Sequence, residues 1–225
     1  MNERGVALIL VLLVMMTLSA LSMSLAVMVS TESRVAANYR DGIEVLYGAE
    51  AALERVLPDL AAESDLSAVL TGLTLSAFID GPAGVRQMPD GTFTDLRALT
   101  SMVNCGRPVC SDVDLDEVRD DRPWGQNNPR WQLYAYGHLS ALGAGPSSSL
   151  GASGSRAYVV VWVADDPSET DTDPLTDGGG EENPGRGRLA VRAHAYGPNG
   201  TRRVIEATVA VGDPGFSVLS WREIR

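Results

Sequence analysis

Cys105 and Cys110 are separated by four residues in Cys-Gly-Arg-Pro-Val-Cys. Gly106 and Pro108 favour a bend that brings the two sulfurs together, so the pair reads as a small-loop disulfide. A zinc site needs about four ligands, and the only histidines, His138 and His194, are remote in sequence. A disulfide in turn requires an oxidising compartment such as a periplasm or cell exterior.

Residues 165–183 carry Asp165, Asp166, Glu169, Asp171, Asp173, Asp177, Glu181 and Glu182 with no basic residue among them. The segment reads first as a solvated acidic loop. The alternative is calcium, a hard cation that takes about six to eight oxygens. Asp171, Asp173, Asp177 and Glu182 match spacings of a helix-flanked calcium loop, but Leu175 stands at a ligand position and Thr176 where that loop needs glycine.

Enzyme chemistry has less to rest on. His138 and His194 fall within strand-like segments with no nucleophile placed beside them, as structural histidines do. The carboxylate pairs Asp120-Asp121 and Asp165-Asp166 adjoin turn-forming residues and read as surface. No Gly-x-Ser-x-Gly elbow occurs. The Gly- and Ser-rich stretch 143–154 lacks phosphate-loop spacing and reads as a flexible loop. No catalytic residue and no cofactor is expected, with calcium kept as the alternative reading of the acidic segment.

The charge balance narrows the partners. Acids outnumber bases 29 to 18, every base is arginine, and the net charge is −11 over 225 residues. Apart from Arg202 and Arg203 the arginines are scattered singly, so no basic face is available to nucleic acid phosphates.

The elements that hold these residues begin with an apolar run. From Val6 to Thr31 there is no charge, and the polar side chains are Thr17, Ser19, Ser22, Ser24, Ser30 and Thr31. As a helix, Val6 to Val29 spans roughly 36 Å, enough for a bilayer core of about 30 Å. Ser24-Leu25-Ala26 would suit ordinary signal peptidase, which would release a secreted domain. Against that cut, apolar residues continue at helical spacing through Val35, Tyr39, Ile43, Leu46, Tyr47, Val56 and Leu57 until Pro58. One helix over 6–57 is expected, its first half transmembrane and its second half amphipathic.

The leader Met1-Asn2-Glu3-Arg4-Gly5 places a basic residue and a glycine directly before that run. Arg4-Gly5-Val6-Ala7-Leu8 and the apolar helix resemble the class III signal of the type IV pilin family. In that family a prepilin peptidase cuts after the glycine and methylates the new N-terminus, which implies cleavage between Gly5 and Val6. Arg34-Val35-Ala36-Ala37-Asn38 and Gly48-Ala49-Glu50-Ala51-Ala52-Leu53 resemble the helix of PilX-type minor pilins. The resemblance covers residues up to about Leu57. Two positions depart from the major pilins: Val6 replaces the usual phenylalanine, and Leu10 replaces the glutamate that neutralises a neighbouring subunit's N-terminal amine. A subunit stacked beneath others without that carboxylate would leave a buried amine unpaired. Leu10 therefore points, through the resemblance, to a tip position.

Residues 58–225 are expected to form one α+β domain outside the cytoplasm. A short helix is expected near Leu66 to Ile79, then strands at Trp131 to Leu139, Ala157 to Ala164, Arg188 to Tyr196, Arg202 to Val211 and Phe216 to Trp221. Tyr158 to Val163 is apolar on both faces and reads as central. Gly197-Pro198-Asn199-Gly200 reads as a hairpin turn. An antiparallel sheet packed on the second half of the long helix follows, and the resemblance implies the ladle-shaped pilin fold. It also implies a non-enzymatic minor pilin helping to initiate a type IV pilus, held in the inner membrane by a single pass before assembly. Its implied partners are the prepilin peptidase, other minor pilins, the major pilin and a tip adhesin. The rival is a pseudopilin of type II secretion. A mature length of 220 residues (225 minus five) leaves limited room for the large helical insertion of the K-type pseudopilin.

Overall fold

The computed structural model describes residues 3–121, 127–142, 155–168, 172–178, 185–212 and 215–224. The chain divides into two compact units, Met1–Asp41 and Gly42–Arg225. One helix, α1 (Glu3–Ala62), supplies the described residues of the first unit and opens the second.

In the second unit α1 is followed by α2 (Leu66–Leu70), β1 (Val85–Gln87), β2 (Phe93–Asp95), α3 (Leu96–Cys105) and α4 (Asp112–Asp120). Then come β3 (Gln132–His138), α5 (Leu139–Leu142), β4 (Tyr158–Asp165), β5 (Arg188–Tyr196), β6 (Arg202–Gly212) and β7 (Gly215–Ile224). Strands β3 to β7 form an antiparallel sheet in sequence order, and β1 pairs with β2 as a separate ribbon. The α+β architecture with a long N-terminal helix on an antiparallel sheet is thus present.

One face of the sheet lies under α1. Val45, Ala49, Ala52, Leu53, Val56, Leu57 and Leu60 form a helical stripe buried against Val159, Val161 and Val163 of β4, Val191 and Ala193 of β5, and Ile205 and Ala207 of β6. The opposite face is also closed. Tyr158, Val160 and Trp162 pack there with Leu96, Leu99 and Val103 of α3. All eight residues of β4 are buried as a result, so an antiparallel strand here carries the continuous apolar run of a strand covered on both sides.

Three details differ from the expectation. The helix does not stop at residue 57 but continues to Ala62 with Pro58 inside it. Pro58 and Glu54 are both exposed, so the hydrogen bond that proline deletes falls on the solvent side, where water can satisfy Glu54's carbonyl. Leu57 and Leu60 stay buried across the break. The second helix covers only Leu66–Leu70, capped by the Asp65 carboxylate, and a turn at Gly72 (φ 73°) ends it well short of Ile79. Third, the buried stripe of α1 runs through small residues, leaving Tyr47 63% exposed. The cause is close approach: a Cβ on Gly48 would lie 3.2 Å from Leu139 and 3.7 Å from the Ala195 Cβ.

The β5–β6 hairpin turns through Pro198–Gly200, where Asn199 and Gly200 have φ of 58° and 71°. Gly197 is required there for space, since a Cβ would come within 2.3 Å of Val45 on α1.

Candidate functional site

The residues singled out by sequence fall on α1, at the end of α3, and in the acidic stretch after β4. In the first unit, α1 is exposed from residue 5 to residue 40, and its apolar window has a mean hydropathy of 2.6, long and apolar enough to cross a membrane. Four of its hydroxyls are turned back onto the helix. Thr17 donates to the Val14 carbonyl at 2.9 Å, Ser19 to Met15 at 2.8 Å, Ser22 to Leu18 at 2.9 Å and Thr31 to Val27 at 3.0 Å. Polar groups satisfied inside the segment are what a hydrocarbon environment demands.

Gly5 and Val6 lie in the first turns of this helix, and Leu10 follows one turn after Val6 with 61% of its surface exposed. Gly5 lowers the local helix propensity by about 1 kcal/mol relative to alanine. The turn holding the Gly5–Val6 bond is therefore among the easiest in α1 to open. From Val6 to Thr31 the helix offers no carboxylate to a cation.

In the second unit, the Gly48 to Leu53 stretch is where α1 meets the sheet. Ala49 and Ala52 are fully buried, while Glu50 and Glu54 turn away from the core. The alternation of small residues and glutamate thus has two purposes: the small side chains let the helix approach, and the acids mark its outer flank.

Residues 4–54 match the model of the PilX N-terminal family. Its N-terminal region is that of a PilX-like type IV minor pilin. No curated protein and no solved structure matches the chain. The PilX-like region accounts for the membrane-competent helix and its packed continuation, and the chain is type IV pilin-like at that level. Its long apolar helix fits membrane anchoring and incorporation with other pilus components.

Beyond the PilX-like region, Cys105 and Cys110 are joined as a disulfide with Cα atoms 6.5 Å apart. The bond ties the end of α3, where Gly106 (φ 70°) caps the helix, to the approach to α4. Immediately before it, the Asn104 amide donates to the Trp131 carbonyl at 2.9 Å and accepts from the Trp131 N–H at 2.8 Å. Trp162 adds a bond from its indole N–H to Thr100 at 2.9 Å. The helix that seals the second face of the sheet is thus tied to the residue before β3 and to β4 at one end of that strand pair.

The acidic stretch is not uniformly solvated. Asp165 ends β4 and is 4% exposed, and Asp166 is 7% exposed with its carboxylate accepting from the Ser168 N–H. The expectation that this pair lies on the surface is therefore incorrect: Asp165 is the last residue of a strand buried along its whole length, and Asp166 follows it. Asp173 accepts from the Leu175 N–H at 3.1 Å and Asp177 from the Gly187 N–H at 2.7 Å, so both carboxylates fasten the chain locally. Asp171 and Glu182, the other two calcium candidates, lie outside the described residues, as does the loop 143–154. Among the described residues no three His, Cys, Asp or Glu side chains converge as a metal-binding group.

His138 is exposed at the end of β3, edge-on to Tyr158. His194 is buried between Trp162, 4.7 Å away between ring centres, and Tyr196, whose hydroxyl lies 3.2 Å from Nδ1. Burial, reinforced by Arg192 and Arg202, pushes its pKa down to about 3, so it is a neutral ring in the core.

The sequence reading missed α3 and the Asn104 clamp. Asp95 as N-cap, Leu96, Leu99 and Val103 at helical spacing, and Gly106 as the stop were the available signals.

Proposed function

We propose that this chain is a minor pilin that helps initiate type IV pilus assembly and sits at or near the pilus tip, with no enzymatic activity of its own. The observation that carries the proposal is Leu10, an uncharged residue at the fifth position after the cut that the leader implies. A subunit buried along the filament needs a carboxylate there to pair with a neighbour's terminal amine, because an unpaired ion in an apolar core costs several kcal/mol. A subunit with nothing stacked above it has no such need. The prepilin peptidase would act at Gly5–Val6, the inner membrane would hold the helix as a single pass until assembly, and the other minor pilins, the major pilin and a tip adhesin would be its neighbours.

Immunogold labelling of filaments from the native host tests this reading. Label confined to one filament end, with deletion lowering the number of filaments rather than their length, is the expected result. Label distributed along filaments would contradict it. The type II secretion pseudopilin remains the second reading, because Leu10 suits a pseudopilus tip equally. Loss of protein export without loss of pili on deletion would select it.

A further inference from the structure

On β6, Ile205, Ala207 and Val209 face α1, so Glu206 and Thr208 point to the opposite face of the sheet. Register there aligns two rows of side chains on β5, β6 and β7. Ala190, Thr208 and Ser220 stand side by side in one row, and Arg192, Glu206 and Arg222 in the next. The first row is short and the second long, so the sheet surface steps down at the first. Pro129, Trp131 and Pro167 border the depression, and with the two rows they line a cavity of about 400 Å³. Small-ligand sites occupy roughly 300–1,000 Å³.

The polar groups of this cavity are one-sided. Glu206 accepts from Arg222 and lies 3.9 Å from Arg192, so its carboxylate is committed to two guanidiniums. Arg192 in turn sits over the Trp131 ring, 5.6 Å from its centre. Arg222 meets Glu206 through one nitrogen and keeps 71% of its side chain exposed. The Ser220 hydroxyl oxygen accepts from the Thr208 N–H at 3.3 Å, which leaves its proton to donate. Among the described residues the Thr208 hydroxyl and the other Arg222 N–H groups have no protein partner. The open groups are thus mainly donors, and two guanidiniums with one carboxylate leave the row at a net charge of +1.

We infer that this cavity binds a small cyclic monocarboxylate, its carboxylate on Arg222 and the Ser220 and Thr208 hydroxyls, its ring against Pro129 and Pro167. The planar fork of an arginine matches a carboxylate bidentately, and Glu206 behind it fixes the orientation of the fork in advance. A single negative charge balances the row, whereas a phosphate dianion would leave excess charge beside Glu206. A neutral ligand would fill the cavity and leave the Arg222 donors without a charged acceptor. The ring follows from the walls, whose proline and indole surface an inorganic ion cannot use. Cyclic carboxylates come from two sources, aromatic acids and acidic sugars, and the chemistry of the cavity is common to both. Every residue that lines it lies outside the PilX-like segment 4–54, so the site stands or falls apart from the pilin reading.

Calorimetric titration of the full chain in detergent, with benzoate and separately glucuronate as probes, tests the assignment. At least one probe should bind, with the matching neutral compound, benzyl alcohol or glucose, and inorganic phosphate about tenfold or more weaker, the loss expected when a charged hydrogen-bond pair is missing. Arg222→Gln should weaken the bound probe by a similar factor; an exposed ion pair adds little to stability, so this variant should fold. Ser220→Ile, which fills the floor from the exposed strand β7, should abolish binding, while Arg107→Gln beside the disulfide leaves it unchanged. Binding of benzoate alone assigns an aromatic acid, and of glucuronate alone an acidic sugar. Three results overturn the inference: no binding of either probe at millimolar concentration, a neutral analogue or phosphate that binds as tightly as the acid, and an affinity indifferent to Arg222→Gln. The comparison of acid with neutral analogue uses the unaltered chain, so it decides the matter even where a variant fails to fold.

Discussion

Replacing His194 by glutamine should flatten the stability of the second unit between pH 7 and pH 5. In the folded chain the His194 ring is 6% exposed, and its pKa lies near 3. In the unfolded chain it returns to about 6.5. The unfolded state therefore binds a proton that the folded state refuses, so stability is lost as the pH falls below about 6.5 and keeps falling until about 3. At about 1.4 kcal/mol per unit, lowering the pH from 7 to 5 costs the wild type about 2 kcal/mol through this one group. For a unit of this size that is a drop in Tm of about 4–8 °C. Asp90 and Asp114, whose carboxyls are held below their ordinary range by hydrogen bonds from Thr92 and Ser111, contribute losses only at more acidic pH. Thermal melts of the full chain in detergent at both pH values, for wild type and His194→Gln, provide the comparison. Glutamine does not titrate, so its own packing cost appears at both pH values and cancels in the difference. Equal pH-dependent shifts in the two proteins would show that His194 is not sealed between Trp162 and Tyr196 and would refute the closed second face of the sheet.

Reduction of the Cys105–Cys110 disulfide, or Cys105→Ser with Cys110→Ser, should destabilise the second unit by about 2 kcal/mol, the entropy of releasing so short a loop. Melts with and without reductant measure it, and an unchanged Tm would remove the bond from the account of how α3 is held. Millimolar calcium should leave the Tm of the full chain unchanged, because Asp173 and Asp177 are engaged with the Leu175 and Gly187 backbone. A calcium-dependent rise of several degrees would instead restore the metal reading of Asp171, Asp173, Asp177 and Glu182.

Much of the fold was legible because its signals are local. The β5–β6 hairpin was readable from Gly197-Pro198-Asn199-Gly200, and β4 from an apolar run that only a doubly covered strand can carry. The limit of α1 was not, because Pro58 is a strong local stop whose cost is set by exposure, a tertiary property. The packed face of α1 was misplaced for a related reason. Large residues such as Tyr47 were counted as core, whereas contact is made by Gly48, Ala49 and Ala52, whose value lies in the close approach they allow. Asp165 and Asp166 looked like surface because they adjoin turn-forming residues, whereas their burial at the end of β4 is a tertiary property. The processing position and the tip-type residue Leu10 were legible only through the family resemblance, since nothing in the spacing of apolar residues marks Gly5–Val6 as a cut.

The most direct test of the central reading is the mass and N-terminal sequence of the mature protein from its native host. A chain that begins at N-methylated Val6 is what a PilX-like minor pilin should give. A chain that begins at Val27, after the Ser24-Leu25-Ala26 sequence, would contradict it and leave an ordinary secreted domain.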